Sequence, residues 1–212
     1  MNSYKTVKGV FEHSVTIERS KFICYVKNVE DSDEAKEFID AIRKKNSLAT
    51  HNCYAFIADE NGLTEKFSDD GEPQGTAGKP ILDALKYGGF KKIVAVVTRY
   101  FGGIKLGVGG LSRAYGKVTA ECLKNADVSE MVFAVLYRIK TDYEGYGAVL
   151  SVARNFGFSI YNTEFDREIT VFVAVKKENE NVFNEKITDA TNGKAELFKV
   201  SEEYFDFGGL CR

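Results

Sequence analysis

The sequence predicts an α+β protein built as two domains, residues 1–130 and 131–212. Three observations lead there. Segments of alternating apolar and polar residues, the period of a half-buried strand, are interleaved with segments whose apolar residues recur every three or four positions, the period of a helix. From residue 131 the segments follow the order β-α-β-β-α-β. Hydrophobic residues make up 44% of the 212, with only two prolines, which supplies enough apolar surface for two cores and leaves no low-complexity linker.

Along the first part, YKTVKGVF, VTIERS and KFICYVKNV read as strands. Asp31 to Asn46 has helical spacing, with Ala35, Phe38, Ile39 and Ile42 on one face and Asp31 or Ser32 as N-cap. NCYAFIA (52–58) is a short apolar strand. Pro80 suits a first helical turn, where its missing amide would have no intrahelical partner, so a helix is expected over 79–87. KKIVAVVTRY (91–100) is a buried strand, GGIKLGVGG a glycine-rich turn, and LSRAYGKVTAECLKNA (111–126) a helix. Leu111, Ala114, Tyr115, Val118 and Cys122 form its inward stripe, while Arg113, Lys117 and Lys124 share the opposite face.

In the second part, MVFAVLYRIKTDY is a strand and YGAVLSVARNF a helix. FSIYNTEF and EITVFVAVKK are strands, NVFNEKITDAT is a helix, and AELFKVSEEYFDF is a last strand. That order is the split βαβ arrangement of a ferredoxin-like domain, with both helices on one face of an antiparallel sheet. It carries no glycine-rich loop and no cluster of catalytic residue types, which points to binding or architecture.

No apolar run approaches the roughly 20 residues that span a bilayer, and MNSYKTVKGV has no signal-peptide core, so a cytoplasmic protein with no membrane partner is expected. Cys24, Cys53, Cys122 and Cys211 form no C-x-x-C pair, which argues against disulfide stapling and structural zinc. The first three sit in apolar patterns, as small buried hydrophobes do. Residues 1–141 hold 21 Lys and Arg against 18 Asp and Glu, and residues 142–212 hold 8 against 13. A nucleic-acid partner therefore requires a local basic patch rather than global charge.

Two loops concentrate the chemistry. FSDDGEPQGTAGKPIL (67–82) fails as a Walker A loop, because Pro73 replaces the first glycine and Pro80 the magnesium-binding hydroxyl. An anion site remains open, with the amides of Gly75, Thr76, Ala77 and Gly78 at a helix N-terminus beside Lys79. Asp69, Asp70 and Glu72 could hold magnesium or act as bases. The favoured alternative is that they cap a rigid turn, and neither metal nor cofactor is expected.

TRYFGGIKLGVGGLSRAYGK (98–117) holds six of the nineteen glycines. From Lys91 to Lys117 there are six cations (Lys91, Lys92, Arg99, Lys105, Arg113, Lys117) and no acid. Gly107, Gly109 and Gly110 would let backbone approach a phosphate closely. Tyr100, Phe101 and Tyr115 offer faces for base stacking or, alternatively, core packing. His51 and Cys53, two apart on a strand, face one way and are a weak candidate for a Cys–His pair.

The motifs SDDGEPQGTAGKPIL and VVTRYFGGIKLGVGGLSRAYG, with ERSKFICYV and THNCYAF, resemble the bacterial YigZ-like proteins and the eukaryotic IMPACT family. The resemblance is specific over residues 1–127 and rests on length and pattern beyond. It implies an N-terminal fold like domain IV of elongation factor G, a small-subunit ribosomal protein and the GHMP kinases, and a C-terminal domain like the last domain of elongation factor G. One signature falls on Asp69–Glu72, Pro73, Gly75, Thr76 and Gly78–Pro80. The other falls on Tyr100–Gly103, Lys105–Gly107, Gly109–Leu111, Arg113 and Tyr115. The resemblance implies that the eukaryotic members regulate translation initiation; their extra N-terminal RWD domain is not expected in this protein, so their mechanism is not carried over.

The expectation is a regulatory or binding protein of the translation machinery, contacting RNA or the ribosome through Arg99, Lys105, Arg113 and Lys117, or a protein partner in translation control. The alternatives are an enzyme acting on a small phosphorylated ligand and a protein-binding regulator. GVGGLSRA is similar in shape to the phosphate loop of GHMP kinases, with Leu111-Ser112-Arg113 where that loop runs through paired serines. The two loops should adjoin, with Asp69, Asp70 or Glu72 reaching toward Arg99 or Lys105.

Overall fold

A computed structural model describes residues 3–207; Cys211 lies outside them. The chain divides into two compact units, Ser3–Ser129 and Glu130 onward. Both mix strands and helices.

In the first unit the opening strand β1 (Ser3–Val7) bridges to Phe90. An antiparallel sheet follows in the order β2 (Val10–Ile17), β3 (Ser20–Asn28), β6 (Ile93–Tyr100), β4 (His51–Ile57) and β5 (Glu65–Ser68). Two expected strands are broken by turns. YKTVKGVF bends at Gly9, whose φ is +69°, and VTIERS stops at Ile17 because Glu18 and Arg19 take φ of +45° and +63°. Consecutive left-handed residues make the tight hairpin whose twist suits the flanking strands. β5 is exposed and pairs along β4.

Helix α1 (Ser32–Lys45) starts where Asp31 accepts hydrogen bonds from the Asp33 and Glu34 amides. It lays Ala35, Ile39 and Ile42 on one sheet face, against Tyr25, Phe56, Val94 and Val96. The other face carries α2 (Gly78–Tyr87) and α3 (Gly107–Asn125), which bury Ile81, Leu82, Leu85, Leu111, Tyr115 and Val118 over Phe22, Cys53, Ala95 and Val97.

The GVGG segment is helical rather than a turn. Leu111, Ala114 and Tyr115 are packed into the core, and this tertiary anchorage extends the helix back through glycines of poor intrinsic propensity. Cys24, Cys53 and Cys122 are buried as free thiols.

In the second unit β7 (Val128–Thr141), α4 (Tyr143–Phe156), β8 (Ser159–Phe165), β9 (Ile169–Lys176), α5 (Glu180–Ala190) and β10 (Glu196–Asp206) follow one another. Its strands pair antiparallel in the order β10–β7–β9–β8. Val135, Tyr137, Ile139, Val171 and Val173 pack with Val149, Val152, Phe183 and Ile187 of the two helices. Among the described residues no helix is long and apolar enough to cross a membrane.

Candidate functional site: two loops joined by a buried ion pair

The register of the first sheet sets the site. Arg99, near the end of β6, faces Phe22 on β3 and His51 on β4. All three point to the side covered by α2 and α3, as the period of two requires once Val97 and Cys53 are in that core. The loop from Asp69 to Ala77 folds over this row and brings Glu72 onto it. Glu72 Oε1 lies 2.7 Å from Arg99 Nη1 and accepts from the Tyr115 hydroxyl at 2.8 Å. Glu72 is 8% exposed, Arg99 4% and Tyr115 0%.

Arg99 Nη2 and the Gly102 amide both donate to Ser20 Oγ at 3.3 Å, so the pair also fixes the start of the glycine loop. The guanidinium carbon lies 5.5 Å from the Phe22 ring centre and 5.4 Å from that of Phe101, within cation–π range. Arg99 Nε is buried without a partner among the described residues. A side chain on Gly102 would overlap the Arg19 carbonyl, so the glycine loop meets the β2–β3 hairpin at a position only glycine can fill.

The acidic loop is held by its own carboxylates, each committed in a different direction. Asp69 accepts from the amides of Gly75 (2.8 Å), Ala77 (3.0 Å) and Gly78 (2.9 Å). Burial works to raise its pKa, but these amide bonds outweigh burial and hold it below the ordinary value. The expected anion site at the α2 N-terminus is therefore filled by the protein itself.

Asp70 accepts from the Asn52 amide at 2.7 Å and from Arg43 at 3.0 Å. Thr76 donates to the Pro73 carbonyl at 2.6 Å. Gly78 cannot bear a side chain, since its Cβ would stand 2.7 Å from the Ser68 carbonyl oxygen. Lys79 is exposed and paired with Asp83. With the three carboxylates turned apart, the magnesium reading of this loop is corrected. Among the described residues no group of three or more His, Cys, Asp or Glu could hold a metal.

His51 and Cys53 do not form a catalytic pair. A carbonyl only accepts, so His51 Nδ1 donates to the Asp70 carbonyl at 2.8 Å; its Nε2 stands 3.9 Å from Glu72 Oε2. Cys53 Sγ lies 2.9 Å from the Asp69 carbonyl and 3.4 Å from the Tyr115 hydroxyl. Burial pushes its thiol pKa up to about 12, and the Glu72, Asp70 and Asp69 charges push the same way. Such a thiol stays protonated at neutral pH and is no nucleophile. Tyr115 is likewise held well above its usual pKa, chiefly by burial, and stays a neutral donor to Glu72.

The basic window divides. Arg99 is buried and ion-paired, which corrects its placement among surface phosphate contacts. Lys91 Nζ donates to the Glu60 carbonyl, Lys92 pairs with Glu30, and Lys117 lies 3.8 Å from Glu121. Tyr100 turns to the α1 side and donates to Asn46 at 3.0 Å, and Tyr115 is core, so neither is a free stacking face.

Lys105 and Arg113 are exposed, with no ion pair among the described residues. They flank the N-terminus of α3, which has no side-chain cap and no acid in its first turn. Arg113 folds back over that turn: a Cβ on Gly109 would lie 3.4 Å from its Nη1. Gly107 has φ +68°, a conformation that favours glycine. Sequence reasoning missed the contributions of Ser20 and Arg43, and placed Asn52 with His51 only as lining for the glycine loops. Ser20 and Asn52 carried a signal, lying within the ERSKFICYV and THNCYAF motifs, and Arg43 carried none.

Comparison with known proteins fits this arrangement. The Impact N-terminal domain matches residues 18–123, and a domain of unknown function, DUF1949, matches residues 139–194. The chain is 42% identical over 206 residues to IMPACT family member YvyE of Bacillus subtilis, covering 97% of this chain and 95% of that protein. It is 31% identical over 188 residues to IMPACT family member YigZ of Escherichia coli, covering 88% and 92%. A crystal structure of a hypothetical protein superposes with a TM-score of 0.60 at 30% identity, covering 96% of this chain and all of the other. The chain belongs to the IMPACT family.

Proposed function

We propose that the protein is a regulatory binding module of the translation machinery that docks on RNA, its first unit taking phosphate at the start of α3. The observation that carries this is the uncapped α3 N-terminus with Lys105 and Arg113 beside it. Each unsatisfied amide and the aligned peptide dipoles favour an anion there. A guanidinium placed over the same turn is electrostatically unfavourable until an anion arrives between them. The buried Glu72–Arg99 pair then acts as scaffold, fixing where the glycine loop ends and α3 begins. Phe101, 47% exposed, supplies an apolar face next to the loop. The fold reading that accompanies this is a first unit like domain IV of elongation factor G and a ferredoxin-like second unit. The β-α-β-β-α-β order and the β10–β7–β9–β8 pairing support the latter.

Titrating the 15N-labelled chain with a short single-stranded RNA tests the site. Amide shifts at Gly107, Val108 and Gly109 are expected, and Lys105→Glu with Arg113→Glu should abolish them. Shifts confined to other surfaces, or unchanged in the double variant, would refute it.

A further inference from the structure

A second site lies away from the loops, on the outer side of α2 and α3. The two helices run alongside each other, and small residues line the space at steps of four: Pro80 and Ala84 on α2 with its C-cap Gly88, and Gly116 and Ala120 on α3, where Lys124 follows one step further. They come close at Gly116, where a Cβ would lie 3.8 Å from the Pro80 Cβ. Together they border an open groove of about 830 Å³, with Phe90, Leu123 and Tyr87 also in its lining. Tyr87 is 92% exposed, so a large aromatic stands beside an unfilled trough. From Pro80 to Gly88 the helix advances about 12 Å.

The charges at the groove are of one sign at one end. Lys5 and Lys124 line it near Phe90 and Val128, and neither has an ion pair among the described residues. The acid that lines it, Asp83, is already paired with Lys79. Lys124 complements the C-terminal end of the α3 dipole. Lys5 comes from β1 and has no such role. The groove thus offers an apolar trough between α2 and α3 with two ammonium groups beside Phe90 and Val128 that have no ion pair among the described residues.

We propose that this groove binds a free anionic amphiphile, a single acyl chain bearing a carboxylate, with the chain between α2 and α3 and the head between Lys5 and Lys124. Small residues leave the trough for the ligand's methylenes to fill, and a head of negative charge is the complement that the rim lacks. This inference is independent of RNA docking at the start of α3.

Calorimetric titration with dodecanoate below its micelle concentration tests it, against dodecyltrimethylammonium, which carries the same chain with a cationic head. Dodecanoate should bind and the cation should not. Across octanoate, decanoate and dodecanoate, affinity should rise roughly fourfold per methylene buried. Ala120→Phe, an exposed helix position that would plug the trough, should abolish binding while leaving the thermal midpoint of the free protein unchanged. Lys5→Glu with Lys124→Glu should weaken dodecanoate at least tenfold and let the cation bind. Equal binding of both head groups, dodecanoate binding that survives Ala120→Phe, or uptake only by anionic lipid vesicles would overturn the proposal.

Discussion

Glu72 and Arg99 form the most buried ion pair among the described residues of the first unit. Removing one partner strands the other charge in the core, so Arg99→Ala should cost about 3–5 kcal/mol, read as a fall in the urea midpoint. Cys53 makes a sharper chemical prediction. With its thiol pKa pushed up to about 12, it should resist iodoacetamide at pH 8 in the native chain and react only after unfolding. Asp69 predicts an acid limb. Its folded pKa lies below the ordinary 3.8, so its contribution is fully present above that value and disappears as pH falls through the lower folded value. Asp69→Asn should flatten that limb of a stability-versus-pH curve. The meeting of acidic and basic loops was legible from opposite charges on two rigid turns. Which cation would be buried was not: Arg99 and Lys105 look alike in a local window, and the acid that claims Arg99 is 27 positions away.

The elements show the same division between local and tertiary information. α1 was legible nearly to the residue, because its cap, its acidic first turn and its apolar stripe all lie within the helix. α3 begins four residues earlier than its apolar stripe suggests, since only packing against the sheet makes Gly107–Gly110 helical. The exposed β5 went unrecognised as a strand because its burial pattern has no inward face to alternate. Glycines separate these cases experimentally. Gly78→Ala drives a methyl into the Ser68 backbone and should cost about 1–3 kcal/mol, as overpacking does. Gly147→Ala, on α4 with open space around it, should instead stabilise by about 0.5–1 kcal/mol through helix propensity. Both are read from denaturant midpoints, and the opposite signs distinguish close approach from conformational freedom.

For the whole molecule, the two signature loops form a structural joint, and the proposed docking edge lies beside it. Most of their residues hold the joint: Asp69, Asp70, Glu72, Thr76, Arg99 and Tyr115 spend their polar groups on one another or on the backbone. Lys105 and Arg113 are left facing outward at the start of α3. Family membership was legible because the joint demands glycines and carboxylates at fixed places. The exposed cations Lys105 and Arg113 were legible only as part of a basic window, since the sequence does not show which cations are spent internally. Single-stranded RNA binding measured across a salt series tests this division most directly. Affinity should fall with salt, and Lys105→Glu with Arg113→Glu should weaken binding and reduce the log–log slope by about 0.7 for each phosphate no longer neutralised. A slope near zero, or binding untouched by both reversals, would contradict it.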